Sequence, residues 1–147
     1  MKKSKKDAVK QKSTGKKLTQ KAGFAVKNKF YLEASWILSS MMEKKLKKLL
    51  EKIEKQQPGK GFTFEQSIKR VKFLHLTSKN PLLSAHLSVV LIDEIRNWKN
   101  QRNTILNDMQ DVHVSEARLE RLATEGIRLF KELNKANKSF NPDSRNS

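Results

Sequence analysis

The sequence predicts an all-α fold, a four-helix bundle with room for a fifth helix and an up-down path, behind a disordered basic N-terminal arm. Three observations predict it. Apolar residues recur at helical spacing in four long segments, no segment shows the strict alternation of a half-buried strand, and the breaks between segments are short. A chain of 147 residues suits one domain, which buries about two-thirds of its surface on folding. The organisation that follows is an arm over residues 1–27, a bundle over 28–138 and a polar tail over 139–147.

The arm is rich in Lys, Ser, Gln and Thr, with isolated apolar residues at Ala8, Val9, Leu18, Phe24 and Val26. Such a composition buries too little apolar surface to offset the entropy of ordering, so it reads as disordered when free. The first predicted helix starts near Asn28. Its stripe runs through Phe30, Ala34, Ile37, Leu38, Met41, Met42, Leu46, Leu49 and Ile53, and Gln57-Pro58-Gly59-Lys60-Gly61 breaks it. Thr63 and Gln66 have the spacing of a capping box, opening a second helix to about Ser78 with Ile68, Val71, Phe73, Leu74 and Leu76 on its apolar side. After Asn80-Pro81 a third helix is expected from about Leu82 to Met109, with Leu87, Val90, Leu91, Ile95, Trp98, Ile105 and Met109 facing the core. Ser115 is the natural N-cap of a fourth helix carrying Leu119, Leu122, Ala123, Ile127, Phe130 and Leu133.

Charge is the dominant compositional feature: 32 Lys+Arg against 15 Asp+Glu, a net +17. Residues 1–29 hold eleven lysines and one acid, Asp7. The arm lysines Lys2, Lys3, Lys5, Lys6, Lys10, Lys12, Lys16, Lys17 and Lys21 form a diffuse phosphate-binding set, attractive to RNA or DNA with little sequence preference. A second cluster, Lys44-Lys45-Leu46-Lys47-Lys48, lies near Glu43, Glu51 and Glu54, which can pair with it at helical spacing and partly neutralise it. The start MKKSKKDAVKQKS lacks the apolar core of a signal peptide, and no apolar run approaches the roughly 18–20 residues of a membrane span. The expected setting is cytoplasmic, with no membrane partner.

Enzymatic motifs are few. With no cysteine there is no disulfide, thiolate site or cysteine nucleophile, and His75, His86 and His113 lack metal-ligand spacing, so no metal and no cofactor are expected. Gly59-Lys60-Gly61 is not a phosphate-binding loop, and no Gly-x-Ser-x-Gly elbow occurs. The third helix is richer. Trp98 and Arg102 lie four apart on one face, as do Asn103 and Asn107. In the plainer reading Trp98 belongs to the core, Arg102 snorkels past it and the asparagines border the helix.

This helix resembles that of the HEPN superfamily, small helical domains of prokaryotic defence and toxin systems and of several eukaryotic ribonucleases. Members often carry a tryptophan, then Arg-Asn, then three residues and a histidine. Trp98, Arg102 and Asn103 match that pattern and Asn107 stands at the histidine position. The helix opening Phe30-Tyr31-Leu32-Glu33-Ala34 and the segment Ala123-Thr124-Glu125-Gly126 look like the first and last helices of such domains, so the resemblance spans about residues 28–138. It implies a homodimer whose paired third helices share a metal-independent RNA-cleaving cleft, with Arg102, Asn103 and Asn107 as a remnant catalytic set and Trp98 and Glu94 in support.

Asparagine does not titrate near neutral pH, so moving the proton of a 2′-hydroxyl falls to no group at position 107, at a cost on the order of 10²-fold or more in rate. The expectation is therefore a protein that binds RNA or a partner, such as a protein antitoxin, in a toxin–antitoxin or phage-defence setting, with nuclease activity impaired or absent. Two alternatives stay open: an active ribonuclease of the same fold, for which Arg70 and His75 form a rival Arg-x4-His pair, and a structural or adaptor bundle with a nucleic-acid-attracting arm.

Overall fold

The computed structural model describes residues 18–54, 62–77, 87–111 and 113–139, and every regular element within them is an α-helix. In chain order these are α1 over residues 18–27, α2 Tyr31–Glu54, α3 Phe64–Thr77, α4 Val89–Asp111 and α5 Glu116–Ser139. The lysines before residue 18, the breaks at Pro58 and Pro81, His86 and the tail lie outside the described residues.

Local chemistry sets the helix starts. At α3 the Gln66 N–H donates to Thr63 Oγ1 at 3.1 Å while the Thr63 N–H donates to Gln66 Oε1 at 2.8 Å, the reciprocal pair of a capping box. Ser115 accepts from the Arg118 N–H at 3.2 Å and so caps α5. Ser88 does the same for α4, accepting from the Leu91 N–H at 3.0 Å. This helix therefore begins after Ser88 rather than near Leu82, the start expected from the apolar pattern.

A clearer correction concerns α1. The segment read as arm up to residue 27 is helical from residue 18, burying Ala22 and Ala25 and laying Leu18 against the core. Two alanines three residues apart make a narrow seam without losing side-chain entropy, which scattered apolar letters do not advertise. The helix stops in a Schellman turn: the Phe30 N–H donates to Ala25 O at 2.7 Å and the Lys29 N–H to Val26 O at 3.1 Å. Lys29 adopts a φ of 66°, the left-handed conformation that this position ordinarily gives to glycine.

The remaining helices close into a ring, α2 packing on α3 and α5, and α4 on the same two. Across α4 and α5 the contacts Glu94–Arg128, Trp98–Leu122 and Asp108–Arg118 run in opposite directions along the two chains. Likewise Glu65 of α3 meets Arg96 and Lys99 of α4 while Lys72 meets Asp93. By contrast α2 and α5 run the same way: Lys29 approaches Glu116 beyond one end, Leu38 sits against Gly126, and Lys52 reaches Asn137 at the other end. The up-down alternation therefore does not hold around the whole ring: α4 runs against both of its neighbours, and α2 runs with α5.

Trp98, Leu38, Met42, Leu46, Leu49, Ile68, Ile95 and Leu129 are among the fully buried residues of the shared core. Phe30, Phe73, Leu76, Val90 and Met109, expected inside, are exposed. Helical periodicity gives the angle at which a side chain leaves the axis but not the width of the seam that receives it. The buried joint of the ring is Trp98, whose Nε1–H donates to Leu122 O at 2.7 Å. Its indole lies where a Gly126 side chain would be: a Cβ there would stand 2.8 Å from Trp98 Cζ2 and 3.0 Å from Leu38 Cδ1.

Gly126→Ala should therefore destabilise the fold by about 1–3 kcal/mol through overpacking, outweighing the roughly 0.5–1 kcal/mol that alanine gains over glycine in a helix. Lys29→Gly should do the opposite, raising stability by about 1 kcal/mol by relieving the left-handed backbone. Urea denaturation of each variant measures both; a stabilised Gly126→Ala protein would show that the indole can shift.

Candidate nucleic-acid interface

α4 carries the residues of the Arg-Asn segment, and its packing separates them sharply. Trp98 is spent on the core, buried and hydrogen-bonded as above. Glu94 is held by Arg128, which also takes Glu125. Asn103 and Asn107 are both exposed, one turn apart on the same face. Arg102 is partly buried, and its Nε is shut off from solvent with no hydrogen-bond acceptor among the described residues.

That state sets Arg102 apart from the other described arginines. Arg70, Arg96, Arg118 and Arg128 each meet a carboxylate, and Arg121 is exposed. Arg102 follows the seam because it lies one turn from buried Trp98, so its stem is drawn down and its Nε with it. Burial pushes the guanidinium pKa below its usual value, with no neighbouring carboxylate acting to raise it. A half-buried cation of this planar, forked shape, without a carboxylate among the described residues, fits a phosphate or carboxylate supplied from outside.

The rival pair does not share this character. Arg70 Nε donates to Glu54 Oε1 at 2.7 Å and its guanidinium lies 5.3 Å from the Phe73 ring centroid, so its charge is already engaged. His75 is partly buried in the last turn of α3, on a different helix from Arg102. Among the described residues no group of three or more His, Asp or Glu side chains could hold a metal ion, and no helix is long and apolar enough to cross a membrane.

Of the arm lysines singled out from sequence, only Lys21 falls within the described residues, exposed on α1. It lines a surface cavity of about 480 Å³ between α1 and α2 with Gln20, Phe24, Ala25, Phe30 and Glu33. Sequence reasoning missed this cavity by assigning Phe30 to the core and Lys21 to a disordered arm. The signal that could have found it is the Lys27-Asn28-Lys29 break between Phe24 and Phe30, which turns the chain and leaves both rings facing out.

A second feature invisible in the sequence is the ion cluster on Glu65, which forms an ion pair with Arg96 Nη2 at 3.0 Å and accepts a hydrogen bond from Lys99. The hydrogen bond from Lys99, with the charges of Lys99, Arg96 and Lys69, holds the Glu65 carboxyl below its usual range despite some burial. Comparison with family models, with curated proteins and with solved structures finds nothing that matches this chain.

A carboxylate with a depressed pKa contributes stability that is complete above its unfolded value, about 4.3, and is lost as pH falls through the lower folded value. Glu65→Gln should thus lower stability near neutral pH by about 0.5–1 kcal/mol, since the cluster is partly solvated, and the deficit should shrink towards zero at an acid pH below the folded value. Urea titrations at the two pH values measure it; a deficit independent of pH would mean that packing, not charge, is what the substitution removes.

Proposed function

We propose that this chain is a HEPN-like helical protein that engages RNA, or the acidic surface of a partner, through the Arg102 face of α4, with nuclease activity impaired or absent. The observation that carries the reading is the Arg102 guanidinium, half-buried and without a carboxylate among the described residues, beside two exposed carboxamides. A guanidinium so placed donates in a fork that matches two oxygens of a phosphodiester, and Asn103 and Asn107 add neutral donors and acceptors on the adjoining face. The excess of positive charge, +17 overall, draws a polyanion in from a distance.

Strand cleavage needs a further group to move the proton of a 2′-hydroxyl, and neither carboxamide titrates near neutral pH. Binding without efficient turnover is the chemistry that remains. A homodimer that sets two Arg102 faces together, a cytoplasmic setting and a role in toxin–antitoxin or phage-defence systems, with a protein antitoxin as one partner, belong to the same proposal.

Labelled single-stranded RNA in buffer containing a chelator tests it directly. The wild-type protein should bind without cutting, and Arg102→Ala should weaken binding by about tenfold, the loss of roughly 1.5 kcal/mol from a charge-assisted contact. Asn107→His should introduce slow metal-independent cleavage, and sedimentation should report a dimer. Wild-type cleavage abolished in Arg102→Ala would replace the binding reading with an active ribonuclease, and absence of RNA affinity at low salt would leave an adaptor bundle.

A further inference from the structure

Of the acids that accompany the lysines of α2 in sequence, Glu43 pairs with one of them, whereas Glu51 and Glu54 pair with none of them among the described residues. Glu54 is taken by Arg70 of α3, and within residues 44–48 Lys47 alone has a carboxylate, Glu43 at 3.2 Å. Lys45, Lys48 and Lys52 follow one another at spacings of three and four, hence along one stripe of α2. The parallel course of α2 and α5 brings Lys138 to the same end of the bundle. Among the described residues these four ammonium groups have no carboxylate partner.

The cluster is built into the fold as well as charged. Lys52 Nζ donates to Asn137 Oδ1 at 2.8 Å and to the Asn137 carbonyl at 3.3 Å, and Asn137 is itself buried. Lys45 is partly buried. Burial, then the charges of Lys48, Lys52 and Lys138, hold the Lys45 pKa below the usual lysine value, and burial with Lys48 does the same at Lys52. Helix polarity explains part of the arrangement: Lys52 and Lys138 stand in the last turns of α2 and α5, where the partial negative charge of a helix end attracts cations. That attraction falls off within the last turn, so it does not account for Lys45 and Lys48.

We propose that Lys45, Lys48 and Lys52 of α2, with Lys138 of α5, form a second contact surface for the phosphate backbone of nucleic acid, distinct from the Arg102 face. The inference rests on the nucleic-acid reading above. The two surfaces lie towards opposite ends of α5: the Arg102 turn follows Trp98, which bonds Leu122, and Leu122 to Lys138 spans roughly 24 Å of helix. Ammonium groups on flexible stems contact phosphates as point charges without reading bases, so this surface adds affinity and salt dependence but no sequence preference. A membrane fits less well, because α2 beyond Trp36 and all of α5 carry no exposed large apolar side chain to insert.

The test is fluorescence anisotropy of the full chain with duplex RNA, duplex DNA and single-stranded RNA of one sequence across a salt series. The patch pair Lys45→Gln/Lys48→Gln is compared with Lys27→Gln/Arg121→Gln, which removes the same charge elsewhere, and with Arg102→Ala. The patch pair should weaken binding by about tenfold or more and flatten the slope of log affinity against log salt by roughly 1.4 for single strands and 1.8 for duplexes, and the control pair should change the slope by less than about half as much. The patch pair should also melt no lower than wild type, since it relieves repulsion between like charges, which separates lost binding from lost folding.

Equal losses in the patch and control pairs, or a patch pair indistinguishable from wild type, would overturn the proposal. So would patch-dependent binding to phosphatidylserine vesicles that displaces the RNA. Should Arg102→Ala lose affinity while the patch pair keeps it, the patch alone fails; should the wild-type chain bind no nucleic acid at low salt, both readings fail together.

Discussion

The joint between Trp98 and Gly126 is the constraint from which the geometry of the candidate interface follows. A residue without a side chain lets α5 close on α4 with an indole between them, and Leu38 of α2 completes the contact. Three helices are thereby registered at one point, and the Trp98 Nε1–H bond to Leu122 O keeps the ring from turning away. Because Arg102 lies one helical turn on, it inherits the same seam. Its Nε is drawn out of water by a neighbour buried for reasons of packing, and the guanidinium becomes a cation with burial but no counter-charge among the described residues.

Scarcity of acids shapes the rest of the surface. With 15 carboxylate side chains against 32 cations, each acid used to tie two helices together leaves some other cation uncovered. The acids are used in that way: Glu54 joins α2 to α3, Glu65 and Asp93 join α3 to α4, and Glu94 and Asp108 join α4 to α5. Each such pair is partly solvated and individually modest in energy. Collectively they place five of the acids at helix–helix boundaries, and Lys45, Lys48 and Lys52 of α2 have no carboxylate partner among the described residues. The row thus follows in part from how the bundle is cross-linked, since Glu54 is held by Arg70, and Glu51, although beside Lys48 and Lys52 in the chain, pairs with neither.

What could be read in the sequence was what is encoded locally. The Thr63–Gln66 box and the Ser115 cap need only a few consecutive residues, and both stand where the pattern put them. The centres of the apolar stripes were equally legible, as Leu46, Leu49, Ile68, Ile95 and Leu133 show by their burial. Their edges were not: Val90 and Met109 lie on the same helix as Ile95 yet are exposed, because the width of a buried stripe depends on neighbouring helices that no local window contains. The same limit hid α1, whose seam is two alanines, and Gly126, whose importance is the space it leaves for an indole 28 residues earlier in the chain. At the candidate site the residue types were legible but their state was not. Glu54 pairs with Arg70 rather than with the lysines beside it, and Arg102 lacks a carboxylate partner among the described residues; both follow from tertiary neighbours.

The shared direction of α2 and α5 has an electrostatic consequence of its own. In an antiparallel pair the helix dipoles offset each other, whereas two parallel helices bring like partial charges together at both ends. The sequence answers at each end. Glu33 and Glu116 stand in the first turns of α2 and α5, and Lys52 and Lys138 in their last turns. Acids gather where the exposed N–H groups are, lysines where the exposed carbonyls are, and Lys52 bonds the Asn137 carbonyl directly. The pair is therefore polarised along its length by charges that stabilise it, and the basic end is the one from which the Lys45–Lys48 row extends. Of the lysines gathered there, Lys52 and Lys138 answer the helix ends, whereas Lys45 and Lys48, further back along α2, do not.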